Sequence, residues 1–203
     1  MKKKVINLYA GLGGNRKHWQ DVEVTAVELD PKIANIYQRN FSEDKVIIGD
    51  AHQYLLDHYN EFDFVWSSPP CQKHSKMMKA TRHDVVDYFD LKLYQEIILL
   101  EHFFKGSWVV ENVVPYYKPL IAPKVRVGRH LFWSNKELFG IQDIKRASGF
   151  INKSNLQGKK EMMKWLGIHY EENIYYSNNH CPVQVLRNCV HPYLGLQIFK
   201  RFA

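Results

Sequence analysis

The sequence is poor in cysteine and has no long apolar run. Its three cysteines, Cys71, Cys181 and Cys189, are odd in number, and no pair has zinc-knuckle spacing, so neither a disulfide framework nor a zinc site is expected. No segment approaches the roughly 18 apolar residues of a membrane span. The basic start "MKKK" precedes "VINLYAGLGG", which is too short and glycine-rich for a signal-peptide core. These absences predict a cytoplasmic protein without a membrane segment.

The composition is that of a globular protein with an excess of positive charge. The 203 residues are 45% hydrophobic and 24% charged, which suits one domain with a core of its own. The formal net charge of +7 favours an anionic partner, and nucleic acid is the commonest. A merely basic protein is the competing interpretation.

Apolar periodicity predicts strands that alternate with helices. The predicted strands are 5–10, 22–30, 45–50, 62–68, 107–113 and 129–135, and the predicted helices are 31–41, 51–59 and 84–104. This alternation indicates an α/β fold with a doubly wound, mostly parallel sheet. Ligands of such sheets bind beyond the carboxyl ends of the strands, where nearly all the unusual residues lie.

Residues 135–181 differ from the rest of the chain. They are polar, rich in lysine and asparagine, and short of apolar runs. They are predicted to form a small insertion, whereas 1–134 and 182–203 form one catalytic domain. The final segment is expected to end in a helix.

Three strand ends carry residues suited to an adenosine-containing ligand. The loop after the first strand contains Gly11, Gly13 and Gly14, which let a ligand approach the backbone closely. Glu28 and Asp30 end the second strand, where a carboxylate can accept hydrogen bonds from ribose hydroxyls. Asp50 ends the third. Singly, the glycines fit a plain tight turn as well, and Glu28 and Asp30 fit a solvated strand end. For Asp50 by itself, a helix N-cap is the favoured interpretation.

The stretch "FDFVWSSPPCQKHS" (62–75) places a thiol directly after two prolines. A buried, inert cysteine is the usual state of such a residue, but the polar and rigid neighbours of Cys71 favour a nucleophile. A cysteine attacks as the thiolate, which requires a depressed pKa or a polar setting.

Two further strand ends carry charged residues. Glu111 and Asn112 interrupt the apolar run "WVVENVV", where a carboxylate needs a partner and, if protonated, could donate to a ring nitrogen. Structural burial with backbone partners is the alternative. Arg126 and Arg129 precede "HLFWSN", and Arg129, at the start of that strand, could reach the same cleft.

In this order, the residues resemble the DNA cytosine-5 methyltransferase family over about 1–134 and 182–200. The matching segments are "NLYAGLGG", "VELD", "IIGD", "PPCQ", "VVENV", "VRVGRHLFWSN" and "LRNCVHPYLGLQI". The resemblance implies S-adenosylmethionine as cofactor and double-stranded DNA as partner. It implies catalytic roles for Cys71, Glu111 and Arg129, with Arg126 the weaker arginine candidate. The implied cofactor-binding residues are Tyr9, Gly11, Gly13, Gly14, Glu28, Asp30, Asp50, Pro70 and Asn188.

The resemblance also implies a mechanism. Cys71 would attack C6 of a flipped cytosine, Glu111 would hold N3 and the exocyclic amine, and Arg129 would hold O2. The chain departs from the family pattern at Asn7, where aspartate is usual, and at Arg187, which replaces a glycine. Residues 135–181 would be a reduced target-recognition region, with lysines and aromatics of 153–176 contacting DNA. A phage or restriction-modification setting and a homodimer are both compatible with this size.

Three alternatives stay open at this level. The "SSPP" sequence also resembles the loop of methyltransferases that act on exocyclic amines, where Ser68 would bind N4 of cytosine or N6 of adenine. An inactive relative that binds DNA and cofactor is the second. A nicotinamide-linked reductase is the third, although it leaves the cysteine loop without a role.

Overall fold

The computed structural model describes residues 2–72, 74, 90–146, 155–175 and 181–202. The strands are β1 (Lys3–Leu8), β2 (Val22–Glu28), β3 (Lys45–Ile48), β4 (Phe64–Ser67), β5 (Ser107–Val113), β6 (Val125–Val127) and β7 (His130–Ser134). The helices are α1 (Pro31–Asn40), α2 (Ala51–His58), α3 (Lys92–Phe103), α4 (Leu156–Leu166), α5 (Gln184–Arg187) and α6 (Pro192–Phe199), with a short 3-10 turn at Tyr59–Glu61.

The strands form one seven-stranded sheet in the order β3-β2-β1-β4-β5-β7-β6. β1 to β5 are parallel, whereas β7 runs antiparallel to both β5 and β6. The prediction of a doubly wound, mostly parallel sheet is therefore confirmed. The order reverses between β1 and β4, and ligands of such sheets bind at that point.

The predicted sixth strand is the second half of a hairpin. Gly128 has φ +55°, which favours glycine, and a Cβ there would lie 2.6 Å from the Asp143 carboxylate oxygens. The chain can therefore turn tightly from β6 into β7. Arg129 consequently lies in the turn and not in the strand that it was expected to begin.

Helices cover both faces of the sheet. Alternate strand residues point to opposite faces, as the pleat requires. Val65 and Val110 share one apolar cluster with α2 and α3, whereas Phe64, Trp66 and Val109 share another with α6. The sheet is thus the middle layer of three.

The predicted helices begin close to their expected starts. Asp30 caps α1 by accepting from the Lys32 and Ile33 amides, and Pro31 occupies the first turn. Asp50 caps α2 by accepting from the Gln53 amide. Of the predicted helix 84–104, the described part begins at Lys92, and 84–89 lie outside the described residues.

Within the polar region, α4 has its own caps. Asn155 accepts from the Gly158 amide at its start, and Gly167 closes its end with φ +63°. Its buried face joins residues of α1 and α5 in a separate apolar cluster. Among the residues that the structure describes, no helix is both long and apolar enough to cross a membrane.

Candidate active site

A cavity of about 930 Å³ opens at the carboxyl ends of the strands, where the sheet order reverses. Nearly all the predicted site residues line it: Tyr9, Gly11, Gly14, Glu28, Asp30, Asp50, Pro70, Cys71, Glu111, Arg129 and Asn188. Gly13 does not line it. A Cβ on Gly13 would lie within about 3 Å of the Tyr37 and Phe41 rings. That glycine serves the packing of the loop on α1.

The glycine loop and the end of β2 are joined through Glu28. Its Oε2 accepts from the Gly11 amide and its Oε1 from the Asp30 amide, each at 2.9 Å. Burial raises the pKa of Glu28, and these amide hydrogen bonds act against that rise. The carboxylate is thereby fixed at the cavity wall.

These residues fit S-adenosylmethionine. Gly11 has φ +54°, and a Cβ there would meet no atom of the protein nearer than the Tyr9 carbonyl oxygen at 3.9 Å. Because Gly11 lines the cavity, its missing side chain leaves room for a ligand. The Glu28 carboxylate lies at the cavity wall as the kind of acceptor that ribose hydroxyls require, and Leu29, which is 70% exposed, presents an apolar surface there.

Asp30, Asp50 and Asn188 are partly committed to local structure. The two aspartates cap α1 and α2, which confirms for Asp50 the N-cap that its sequence position allowed. The Asn188 side-chain oxygen accepts from Gln184 Nε2 at 2.9 Å. All three also line the cavity, so a cap and a ligand contact can coexist.

A buried carboxylate, Glu96 of α3, connects Tyr9, which precedes the glycine loop, to Ser67 at the end of β4. It is fully buried, and its oxygens accept from the Tyr9 hydroxyl and the Ser67 hydroxyl, both at 2.5 Å. His52 Nδ1 lies 3.0 Å from the same side chain. Sequence reasoning missed this group because Glu96 lies within an ordinary amphipathic helical pattern.

The Cys71 loop is held by backbone and side-chain bonds. Asn112 Nδ2 donates to the Pro69 carbonyl at 3.0 Å, and the His74 amide donates to the Cys71 carbonyl at 3.0 Å. Burial raises the pKa of the half-buried Cys71 thiol, the Glu111 charge raises it further, and Arg129 lowers it. The thiol therefore gains its polar setting from Arg129 but not a depressed pKa.

Glu111 has a partner that the sequence did not indicate. Its Oε1 lies 2.6 Å from His130 Nδ1, and both side chains are buried. The antiparallel pairing of β5 and β7 brings the two residues together. The sequence indicated only that a carboxylate within an apolar strand needs a partner, and it did not indicate which residue that partner is.

The two candidate arginines lie in different surroundings. Arg129 Nη2 donates to the carbonyls of Arg187 at 2.5 Å and Cys189 at 3.4 Å, at the cavity wall. Arg126 is exposed, and its Nε donates to the Gly128 carbonyl of its own hairpin. Of the two, Arg129 is the one beside Cys71 and Glu111.

The sheet order is that of a Rossmann-like fold, and the cavity lies where ligands of such sheets bind. The model of the C-5 cytosine-specific DNA methylases matches residues 3–114, more than half of the chain. The chain belongs to that family and is a DNA cytosine methyltransferase.

Several solved structures are similar in part. A conserved hypothetical protein from Streptococcus pyogenes is 16% identical, with a TM-score of 0.45 over 66% of this chain and 84% of its own. A DNMT2 variant from Spodoptera frugiperda is 24% identical, with a TM-score of 0.40 over 55% of this chain and 36% of its own. S. pombe Dnmt2 is 16% identical, with a TM-score of 0.40 over 55% and 34%. The chain thus spans about a third of the two DNMT2 proteins. No curated protein matches it.

Proposed function

We propose that the protein methylates C5 of cytosine in double-stranded DNA through a covalent bond between Cys71 and C6 of the base. The observation that carries this proposal is that Cys71, Glu111 and Arg129 line the same cavity as the glycine loop and Glu28. A nucleophile, a carboxyl group and a cation thus lie beside a pocket fitted to the cofactor.

The cysteine activates an otherwise unreactive carbon. Cys71 loses its proton and its sulfur bonds to C6, so the electrons of the C5–C6 double bond make C5 nucleophilic. S-adenosylmethionine, when bound, supplies the electrophilic methyl group. Loss of the C5 proton to a base and cleavage of the sulfur–C6 bond then restore the ring and the thiolate.

Glu111 and Arg129 stabilise the charge that develops on the ring. The Glu111 carboxyl group would hold N3 and the exocyclic amine, and its contact with His130 keeps it oriented. Arg129 is aimed by its bonds to two carbonyls, and a guanidinium has five N–H donors with which to hold O2. A duplex base must leave the stack first, at a cost of a few kcal/mol. The net charge of +7 favours binding of the phosphates.

The test follows the C5 proton. DNA with tritium at cytosine C5 should release one tritium for each methyl group transferred by the full chain. Cys71→Ser should abolish release and transfer while still binding S-adenosylmethionine in calorimetry, and Glu111→Gln should lose most activity. Near wild-type transfer by Cys71→Ser would exclude the covalent step.

The same assay separates exocyclic-amine methylation, because an amino methyltransferase leaves the C5 tritium in place. In the structure, the Ser68 hydroxyl accepts from the Trp66 indole nitrogen at 2.9 Å. That bond gives Ser68 a structural role at the end of β4. Methyl transfer without tritium release would support the amine alternative, and cofactor binding without any transfer would support an inactive relative.

A further inference from the structure

Residues 171–175, which follow α4, form part of the cavity wall. Asn173, Ile174 and Tyr175 line the cavity. Ile174 is 2% exposed and shares an apolar cluster with Leu12 of the glycine loop and Ile33 of α1. The segment therefore packs on elements that carry predicted cofactor-binding residues.

Lys159 of α4 holds this segment in place. The residue is 5% exposed, and its Nζ donates to the Glu171 carbonyl at 3.1 Å and the Glu172 carbonyl at 2.6 Å. Asn173 Oδ1 lies 3.3 Å from the same nitrogen. These are three acceptors for the three N–H donors of an ammonium group. The cation also lies 4.5 Å from the centre of the Tyr170 ring.

A buried lysine without a carboxylate hydrogen-bond partner is unusual, because burial of the charge must be offset. Burial lowers the pKa of Lys159, and the negative charge of Glu172 acts against that decrease. The cost of burying the Lys159 charge is offset by hydrogen bonds to backbone carbonyls of the segment 171–175, which reaches the cavity. Arg39 of α1 adds an exposed ion pair to Glu172 at 2.6 Å, which ties the same segment to α1.

We propose that Lys159 is a positioning residue for S-adenosylmethionine, and that the segment 171–175 serves as a wall of the cofactor site. The lysines of 153–176 were expected to contact DNA. The Lys159 ammonium group instead donates to backbone carbonyl oxygens, whereas the adjacent Lys160 is exposed to solvent. Cofactor binding requires no covalent step, so this proposal and the cytosine mechanism can fail separately.

The matched pair of variants is Lys159→Met and Lys160→Met, made in the full chain. Calorimetry should show S-adenosylmethionine binding about tenfold weaker for Lys159→Met, because the segment loses its charged donors, and unchanged for Lys160→Met. The salt dependence of DNA affinity should not change for Lys159→Met. Wild-type cofactor affinity in Lys159→Met would overturn the proposal, as would a loss confined to DNA binding.

A second measurement uses the unmodified protein, in case Lys159→Met does not fold. Amide hydrogen exchange across residues 168–175 should slow when S-adenosylmethionine is added, because a ligand against this wall suppresses its local opening. The exposed turn at Tyr59–Glu61, which does not line the cavity, serves as the internal reference. Exchange in 168–175 that does not respond to the cofactor would contradict the proposal.

Discussion

The two sides of the cavity are held together in different ways. On the base side, which is the wall with the proposed catalytic residues Cys71, Glu111 and Arg129, side-chain donors bind backbone carbonyls. Asn112 of β5 donates to Pro69, and Arg129 donates to Arg187 of α5. On the cofactor side, which is the wall with the glycine loop and Glu28, the loop is held by a backbone amide that donates to a carboxylate, as Gly11 donates to Glu28. The segment 171–175 on that side is held by a side-chain donor, Lys159. Substitutions on the base side should displace the reacting atoms and lower the rate of methyl transfer. Substitutions on the cofactor side should lower the affinity for S-adenosylmethionine. The following variants test this division between effects on rate and effects on affinity.

The largest effect is expected for Asn112→Ala. Without the amide, the Pro69 carbonyl loses its donor and the Cys71 loop can shift, and a shift of about 1 Å can cost about a hundredfold in rate. Single-turnover methylation measures the rate, and calorimetry should show unchanged cofactor affinity.

The matched control is Asn135→Ala, because Asn135 Nδ2 makes a similar bond to the Gly106 carbonyl away from the cavity. Equal rate losses in the two variants would mean that Asn112 acts only through general stability.

The pH dependence of methyl transfer should also be set by a residue on the base side, Cys71. Because the pKa of Cys71 is raised, the thiolate fraction at neutral pH is small and rises about tenfold per pH unit until the pKa is reached. Single-turnover methylation and alkylation of Cys71, followed by mass spectrometry, should rise together with pH.

Cys189 is the internal comparison for alkylation, since burial raises its pKa to about 12 and it should react far more slowly. A rate of Cys71 alkylation that is already constant at pH 6 would contradict the raised pKa.

On the cofactor side, Glu28→Gln should weaken S-adenosylmethionine binding by about tenfold, equivalent to about 1.4 kcal/mol. A carboxamide has one acceptor oxygen, whereas the Gly11 and Asp30 amides each need one. The bound complex should still turn over at close to the normal rate. Glu23→Gln, exposed on the same strand, is the control, and an effect on rate alone would break the division between the two sides.

The smallest effect is expected at Asp50, which combines a cap with a cavity position. Asp50→Ala should lower the free energy of unfolding by ~1 kcal/mol, and Asp50→Asn by only a few tenths, because asparagine also caps helices. Urea unfolding measures both. Equal losses in the two variants would show that the charge, and not the cap, stabilises α2.

The sequence predicts this site well where a residue follows a strand directly. Cys71, Glu111 and Glu28 lie at ends of parallel strands, so the sheet itself brings them to one edge. The parallel core and the family resemblance were predictable for the same reason, since β1 to β5 have clear apolar patterns. Arg129 was predicted at that edge too, although the hairpin that carries it was not.

What the sequence does not contain is the pairing of distant groups. The contact between Glu111 and His130 depends on the register of β5 and β7, which no short motif specifies. The raised pKa of Cys71 depends on burial of the thiol in the folded chain, which no short motif specifies. Lys159 lies in a polar, lysine-rich stretch that predicts an exposed side chain. It is buried because the chain after α4 passes over its ammonium group and supplies the carbonyl acceptors.

The position of α6 has a consequence for synthesis of the protein. This helix packs Leu194, Ile198 and Phe199 against Phe64 and Trp66 of β4, although most of the chain lies between them. A ribosome makes β4 first, so the part of that face which α6 covers stays exposed until the late residues emerge. Arg129 is likewise synthesised before Arg187 and Cys189, whose carbonyls it binds. Both the core of the sheet and the arginine at the cavity therefore depend on residues that are synthesised long after them.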